Sequence, residues 1–103
     1  MIIYVDIDET ICSHPDTNDG PRDYANAIPL QDRISKINAL YEQGENIIYW
    51  TARGTVTGID WKDLTEKQLK SWGAKYDELK MGKPAYDLFI DDKNINSERF
   101  FNG

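Results

Sequence analysis

The sequence predicts an α/β fold, a three-layer, Rossmann-like domain with a mainly parallel sheet and no cap domain. Three observations predict it. Short apolar runs rich in β-branched and aromatic residues alternate with stretches of helical periodicity, the pattern of βαβ units. Each apolar run ends in acidic or hydroxyl residues, and such sheets bind ligands outside the carboxyl ends of their strands. The chain has 103 residues, of which 40% are hydrophobic, enough for one real core and too few for a second. Residues 1–103 are therefore read as a single domain.

The elements follow in order. MIIYVDIDETIC opens the chain with a strand over Ile2 to Ile7. Residues 13–28, SHPDTNDGPRDYANAI, hold two prolines, a glycine and many Asn/Asp residues and read as an irregular flap loop. A helix is expected from Leu30 to Gln43, since Ile34, Ile37, Leu40 and Tyr41 recur at helical spacing and Gly44 stops it. ENIIYW is a second buried strand ending at Thr51. Asp60 caps a further helix with Trp61, Leu64, Leu69 and Trp72 on one broad face and Gly73 at its end. A short strand is expected around Lys75 to Leu79, a clear one over Tyr86 to Ile90 (YDLFI), and SERFF forms a terminal helix.

The formal net charge of −6 argues against a general nucleic-acid binder, which carries a basic face. Cys12, the one cysteine, excludes an internal disulfide. Met1 leads straight into strand pattern without the charged region of a signal peptide, and no apolar run approaches the ~20 residues that cross a bilayer. The expectation is a soluble cytoplasmic protein.

The chemistry gathers at the strand ends. Residues i and i+2 of a strand point the same way, so Asp6 and Asp8 should sit side by side at the tip of the first strand. Their repulsion requires a shared proton, a basic side chain or a divalent cation. If the strands are parallel, Thr51, Lys83, Asp91 and Asp92 reach the same edge. Carboxylates and a hydroxyl are hard oxygen donors of the kind that suit Mg²⁺ with a phosphate. Thr51, the backbone N–H groups after it and Lys83 would neutralise a phosphoryl group. One aspartate could then attack phosphorus, and its neighbour could serve as acid and base.

The constellation resembles the haloacid dehalogenase superfamily of phosphohydrolases. The resemblance rests on Asp6-Ile7-Asp8-Glu9-Thr10 after an apolar strand, Thr51 after IIYW, Lys83 in GKP, and Asp91-Asp92 after DLFI, in that family's order. It implies that Asp6 is the nucleophile and a Mg²⁺ ligand. Asp8 would be the general acid/base, with its backbone carbonyl on the metal. Thr51 and the Ala52 N–H would bind phosphoryl oxygens, and Lys83 would neutralise nucleophile and phosphate. Asp91 would complete the metal shell, with Asp92 reaching it through a water. The short spacing from Lys83 to Asp91 looks like a small capless subgroup associated with capsule or lipopolysaccharide sugar pathways. The implied activity is a Mg²⁺-dependent phosphomonoesterase working through an aspartyl-phosphate on a phosphosugar or related metabolite. Without room for a cap the site should be open, which favours a large substrate or help from a neighbouring subunit in a homo-oligomer.

Other residues have plainer readings. Arg53 could contact substrate, but pairing with a surface acid is favoured. His14 is read as a solvated loop histidine, the three tryptophans as core, and Cys12 as lacking a base. Two other classes use similar residues. A receiver-like phosphoacceptor domain shares the residue types, but there Lys comes last, and here Lys83 precedes Asp91. A polynucleotide end phosphatase suits an open site, but phosphate-backbone binding needs more Lys and Arg.

Overall fold

The computed structural model describes residues 1–15 and 22–102. Its sheet has three parallel strands in the order β1 (Ile2–Val5), β4 (Asn46–Trp50), β5 (Glu78–Lys80). Ile2 stands beside Asn46 and Val5 beside Tyr49, while Ile48 stands beside Glu78. Between β1 and β4 the chain forms β2 (Cys12–Ser13), one 3₁₀ turn (Tyr24–Asn26), β3 (Ile28–Pro29) and α1 (Gln31–Glu42). Helix α2 (Lys62–Ser71) joins β4 to β5, and α3 (Ser97–Asn102) lies near the end. This is a small Rossmann-like α/β domain, as the alternation of patterns predicts.

The core explains why the parallel order holds. Val5, Ile7, Ile47 and Tyr49 share a cluster with Ile34 and Ile37 of α1 and Leu69 of α2, each at most 6% exposed. The helix that follows β1 and the one that follows β4 each bring an apolar stripe back onto the sheet. The alternate β1 residues, Ile2 and Tyr4, remain 67% and 49% exposed. Gly44, at φ 94°, ends α1 in the left-handed conformation where other residues are strained.

Several elements depart from the sequence reading. The flap is more ordered at its base than an irregular loop: β2 and β3 form an antiparallel ribbon with Cys12 opposite Pro29. Residues 16–21 of the expected flap lie outside the described residues. The third sheet strand begins at Glu78 rather than Lys75. Asp77 precedes it, accepting the Ile47 N–H on its carboxylate and donating its own N–H to the Ile47 carbonyl, both at 2.8 Å. On α2 the buried residues are Thr65, Gln68 and Leu69, two of them polar.

The largest departure is Tyr86 to Ile90, which forms no strand. Lys83 donates its N–H to the Thr51 carbonyl at 3.0 Å, fixing its backbone at the carboxyl end of the sheet. A parallel strand must start at the opposite end, and only Pro84 and Ala85 stand between. Parallel pairing within one sheet takes a crossover of about a dozen residues. The segment therefore runs irregularly, with Tyr86, Leu88, Phe89 and Ile90 between 42% and 87% exposed.

Candidate active site

Beyond β1 the backbone turns sharply. Thr10 and Ile11 donate their N–H groups to the Ile7 carbonyl at 3.1 and 2.9 Å, and Glu9 adopts φ 62° to close the turn. A non-glycine residue in that region stores strain of the kind found around functional sites. The turn separates the environments of the two aspartates. Asp6, with a side chain 35% exposed, has Oδ1 3.3 Å from Lys83 Nζ. Its Oδ2 accepts from the Thr10 hydroxyl at 3.3 Å.

Asp8 is held differently, with a side chain only 9% exposed. Arg53 grips it through Nε at 3.0 Å to Oδ2 and Nη2 at 2.8 Å to Oδ1. His14 Nε2 lies 2.8 Å from the same Oδ1, while His14 Nδ1 faces Glu9 at 2.7 Å. Each aspartate thus has its own basic partner, Lys83 for one and Arg53 for the other. Of the three compensations considered for the pair, the protein itself supplies the basic side chain.

Arg53 is the residue the sequence reading placed wrongly. It is 2% exposed, so it pairs with no surface acid. Its Nη1 donates to Thr65 Oγ1 at 3.1 Å and Gln68 Oε1 at 2.6 Å, and its guanidinium lies 4.8 Å from the Tyr24 ring centre. Gln68 also donates to the Tyr24 carbonyl at 2.5 Å. Thr65 and Gln68 were missed altogether. Their signal was present: two polar residues three apart on the face of α2 that also carries Leu69, which calls for a buried partner. His14 likewise is no solvated loop residue, with a side chain 6% exposed between two carboxylates.

Thr51 is 1% exposed and its Oγ1 accepts the Arg53 N–H at 3.1 Å. It stands one residue past β4, with Ala52 following, and its carbonyl holds the Lys83 backbone. The loop beyond depends on Gly54, at φ 82°, where a Cβ would come 2.0 Å from the Ile59 carbonyl oxygen. The structure thus gathers Asp6, Thr51, Ala52 and Lys83 at one end of the sheet, with Asp8 and Arg53 beside them.

Asp91 and Asp92 do not join them. Both are exposed, and Asp91 Oδ2 accepts the Lys93 N–H at 3.1 Å. Among the described residues, the acid, thiol and imidazole ligand atoms that lie within 4.8 Å of one another belong to Asp8, Cys12 and His14. The expected shell of Asp6, Asp8 and Asp91 is not assembled within one chain, for the same reason of reach that keeps Tyr86 to Ile90 from pairing.

Hydrogen bonds join the Asp8–Cys12–His14 group, with Cys12 Sγ 3.6 Å and His14 Nε2 2.8 Å from Asp8 Oδ1. Burial first, and the Asp8 charge second, push the Cys12 thiol up to about 12. Both His14 nitrogens already face carboxylates. Mg²⁺ in any case prefers oxygen donors.

The fold has a solved counterpart. A crystal structure of a structural genomics target from Vibrio cholerae is similar at a TM-score of 0.81 and 26% identity, over 99% of this chain and 88% of that one. Its description names no activity. No family model and no curated protein matches the chain. Among the described residues, no helix is long and apolar enough to cross a membrane.

Proposed function

We propose that this protein is a Mg²⁺-dependent phosphomonoesterase of the haloacid dehalogenase type, acting through an aspartyl-phosphate on a phosphosugar or related metabolite. The observation that carries it is Asp6: a partly exposed carboxylate at a strand end, backed by Lys83 at 3.3 Å and the Thr10 hydroxyl at 3.3 Å. Nucleophilic carboxylates need both access and a nearby cation that restrains charge as the phosphoryl group arrives.

The steps follow from the neighbours. An Asp6 oxygen bonds to phosphorus as the bond from phosphorus to the leaving alcohol oxygen breaks. Asp8 transfers a proton to that oxygen and takes one back from the water that then attacks phosphorus, breaking the P–O bond of the acyl phosphate, freeing the Asp6 carboxylate and releasing inorganic phosphate. Among the described residues Asp8 Oδ2 meets only Arg53 Nε, whereas Oδ1 is crowded by Arg53, His14 and Cys12, so Oδ2 is the oxygen that carries the proton. Lys83 and the Ala52 N–H neutralise the phosphoryl oxygens. Asp6 and the Asp8 backbone carbonyl are hard donors suited to Mg²⁺, which would supply further neutralisation at the phosphoryl group.

The test is turnover of an aryl phosphate with and without Mg²⁺. Wild-type activity should depend on the ion, and Asp6→Asn should lower kcat by several orders of magnitude while the circular dichroism spectrum stays native. Turnover retained in Asp6→Asn defeats the proposal.

A further inference from the structure

The segment from Tyr86 to Ile90 reads as a strand, and among the described residues it pairs with nothing in its own chain. Its four large apolar residues stand in water: Tyr86 is 45% exposed, Leu88 75%, Phe89 42% and Ile90 87%. Four large exposed apolar residues within five positions, interrupted only by Asp87, are the kind of surface that marks an interaction site. The sheet meanwhile ends in β1, whose sequence IIYV carries no charge and whose outer edge is unpaired among the described residues. The opposite edge, β5, is ELK, and charged side chains are the usual protection of an exposed edge. One edge is guarded and the other is not.

Residues 86–92 cannot pair with this edge in parallel from within their own chain. Level with Asp6, a parallel Asp91 places Asp87 beside Ile2 and Tyr86 beside Met1. The Lys83 backbone is anchored past the far end of the sheet by its 3.0 Å bond to Thr51. Returning along five residues of strand takes roughly 17 Å. Three residues, Pro84 to Tyr86, reach at most about 11 Å. A parallel strand in that register therefore has to come from another molecule.

We infer that two copies of this chain exchange residues 86–92, each laying that segment parallel to the outer edge of the other's β1, so that Asp91 of one copy stands beside Asp6 of the other. The register fits the side chains. Leu88 and Ile90, the two most exposed, fall beside Ile3 and Val5 on the core face. Phe89 falls beside Tyr4, and Asp91 takes the face of Asp6. Helix α3 follows four residues after Asp92 and travels with the strand. Its contacts to α1, the Arg33–Glu98 pair and the bond from Lys36 Nζ to the Phe100 carbonyl, re-form between copies. Exchange of an identical element is a low-cost route to a closed two-fold dimer. The exchange rests on the reach of the chain, and its register, Asp91 level with Asp6, is taken from the phosphatase reading. Asp91 as a working part of the site rests in addition on the phosphatase reading.

Light scattering behind gel filtration should give a dimer mass for the wild-type protein; a monomer overturns the inference. In Tyr4→Cys/Phe89→Cys, oxidation should yield a covalent dimer on non-reducing gels. A disulfide closed within one chain, or none in a folded variant, overturns it. If that variant does not fold, co-refolding Asp6→Asn with Asp91→Asn chains decides the matter. Each is inactive alone, and in mixed exchanged dimers one site in two recovers both native aspartates, so about a quarter of wild-type turnover returns under random two-fold pairing. No recovery, with active wild type, overturns the exchange. An inactive wild-type protein that still cross-links between chains instead defeats the phosphatase reading and leaves the exchange standing.

Discussion

Replacing Arg53 by Met keeps much of its length and removes its charge, which makes it a direct measure of how Asp8 is held. The guanidinium makes three contacts of 2.8 to 3.2 Å to the Asp8 carboxylate and one each to Thr65 and Gln68, with no side-chain exposure. Without it, Asp8 stays buried with only His14 and the weak Cys12 thiol donor, and the Gln68 Oε1 acceptor loses its donor. Breaking a buried pair by removing one partner costs about 3–5 kcal/mol, against ~0–1 kcal/mol for an exposed pair. In a domain of this size each kcal/mol shifts Tm by about 4–8 °C, so a fall of at least about 12 °C is expected. Thermal and urea unfolding at pH 7, followed by circular dichroism, measure it. Asp8→Asn should reduce the cost of the second substitution, because the charge that Arg53 compensates is gone. A loss below ~1 kcal/mol, or strict additivity of the two substitutions, refutes the argument that Arg53 positions Asp8.

Three further outcomes follow from the same packing. Tyr49 is fully buried with its hydroxyl unpaired among the described residues, and burial drives its phenol above the ordinary range. Tyr49→Phe should therefore raise stability by ~1 kcal/mol in urea unfolding. Gly54→Ala should cost clearly more than Gly58→Ala: both have positive φ, but only Gly54 places a new Cβ against a backbone oxygen, at 2.0 Å. Equal melting temperatures for the two variants would contradict the close approach at Ile59. Cys12, whose thiol is pushed up to about 12 by burial and by Asp8, should resist a disulfide reagent at pH 8 and react fully in denaturant.

The fold was legible because its signals are local. The apolar pattern of IIYV and NIIYW, the helical spacing of Ile34 and Ile37, and Gly44 after α1 each act within a few residues, and the structure keeps them. The ends of the site were legible for the same reason, since Asp6, Thr51 and Lys83 need only parallel strands to meet. What the sequence reading missed depends on partners distant in the chain. Arg53 looked like a surface cation because the residues that bury it, Thr65, Gln68 and Tyr24, lie on α2 and on the 3₁₀ turn of the flap. Asp6 and Asp8 looked like one acidic pair because alternation was carried past Val5, where the strand stops and the Glu9 turn redirects the chain.

Tyr86 to Ile90 shows the limit of pattern most directly. Alternation and β-branched content report that a segment is suited to a pleated, half-buried surface, but they do not report where that surface is. Here the segment has the composition of an inner strand and a leash too short to run parallel along the uncharged β1 edge of its own sheet. Propensity and connectivity therefore conflict within a monomer. Natural sequences are locally and globally consistent as a rule, so such a conflict points to an assembly in which it vanishes. An exchanged dimer removes it with no change in any local preference, and the same step sets the missing acid, Asp91, against Asp6.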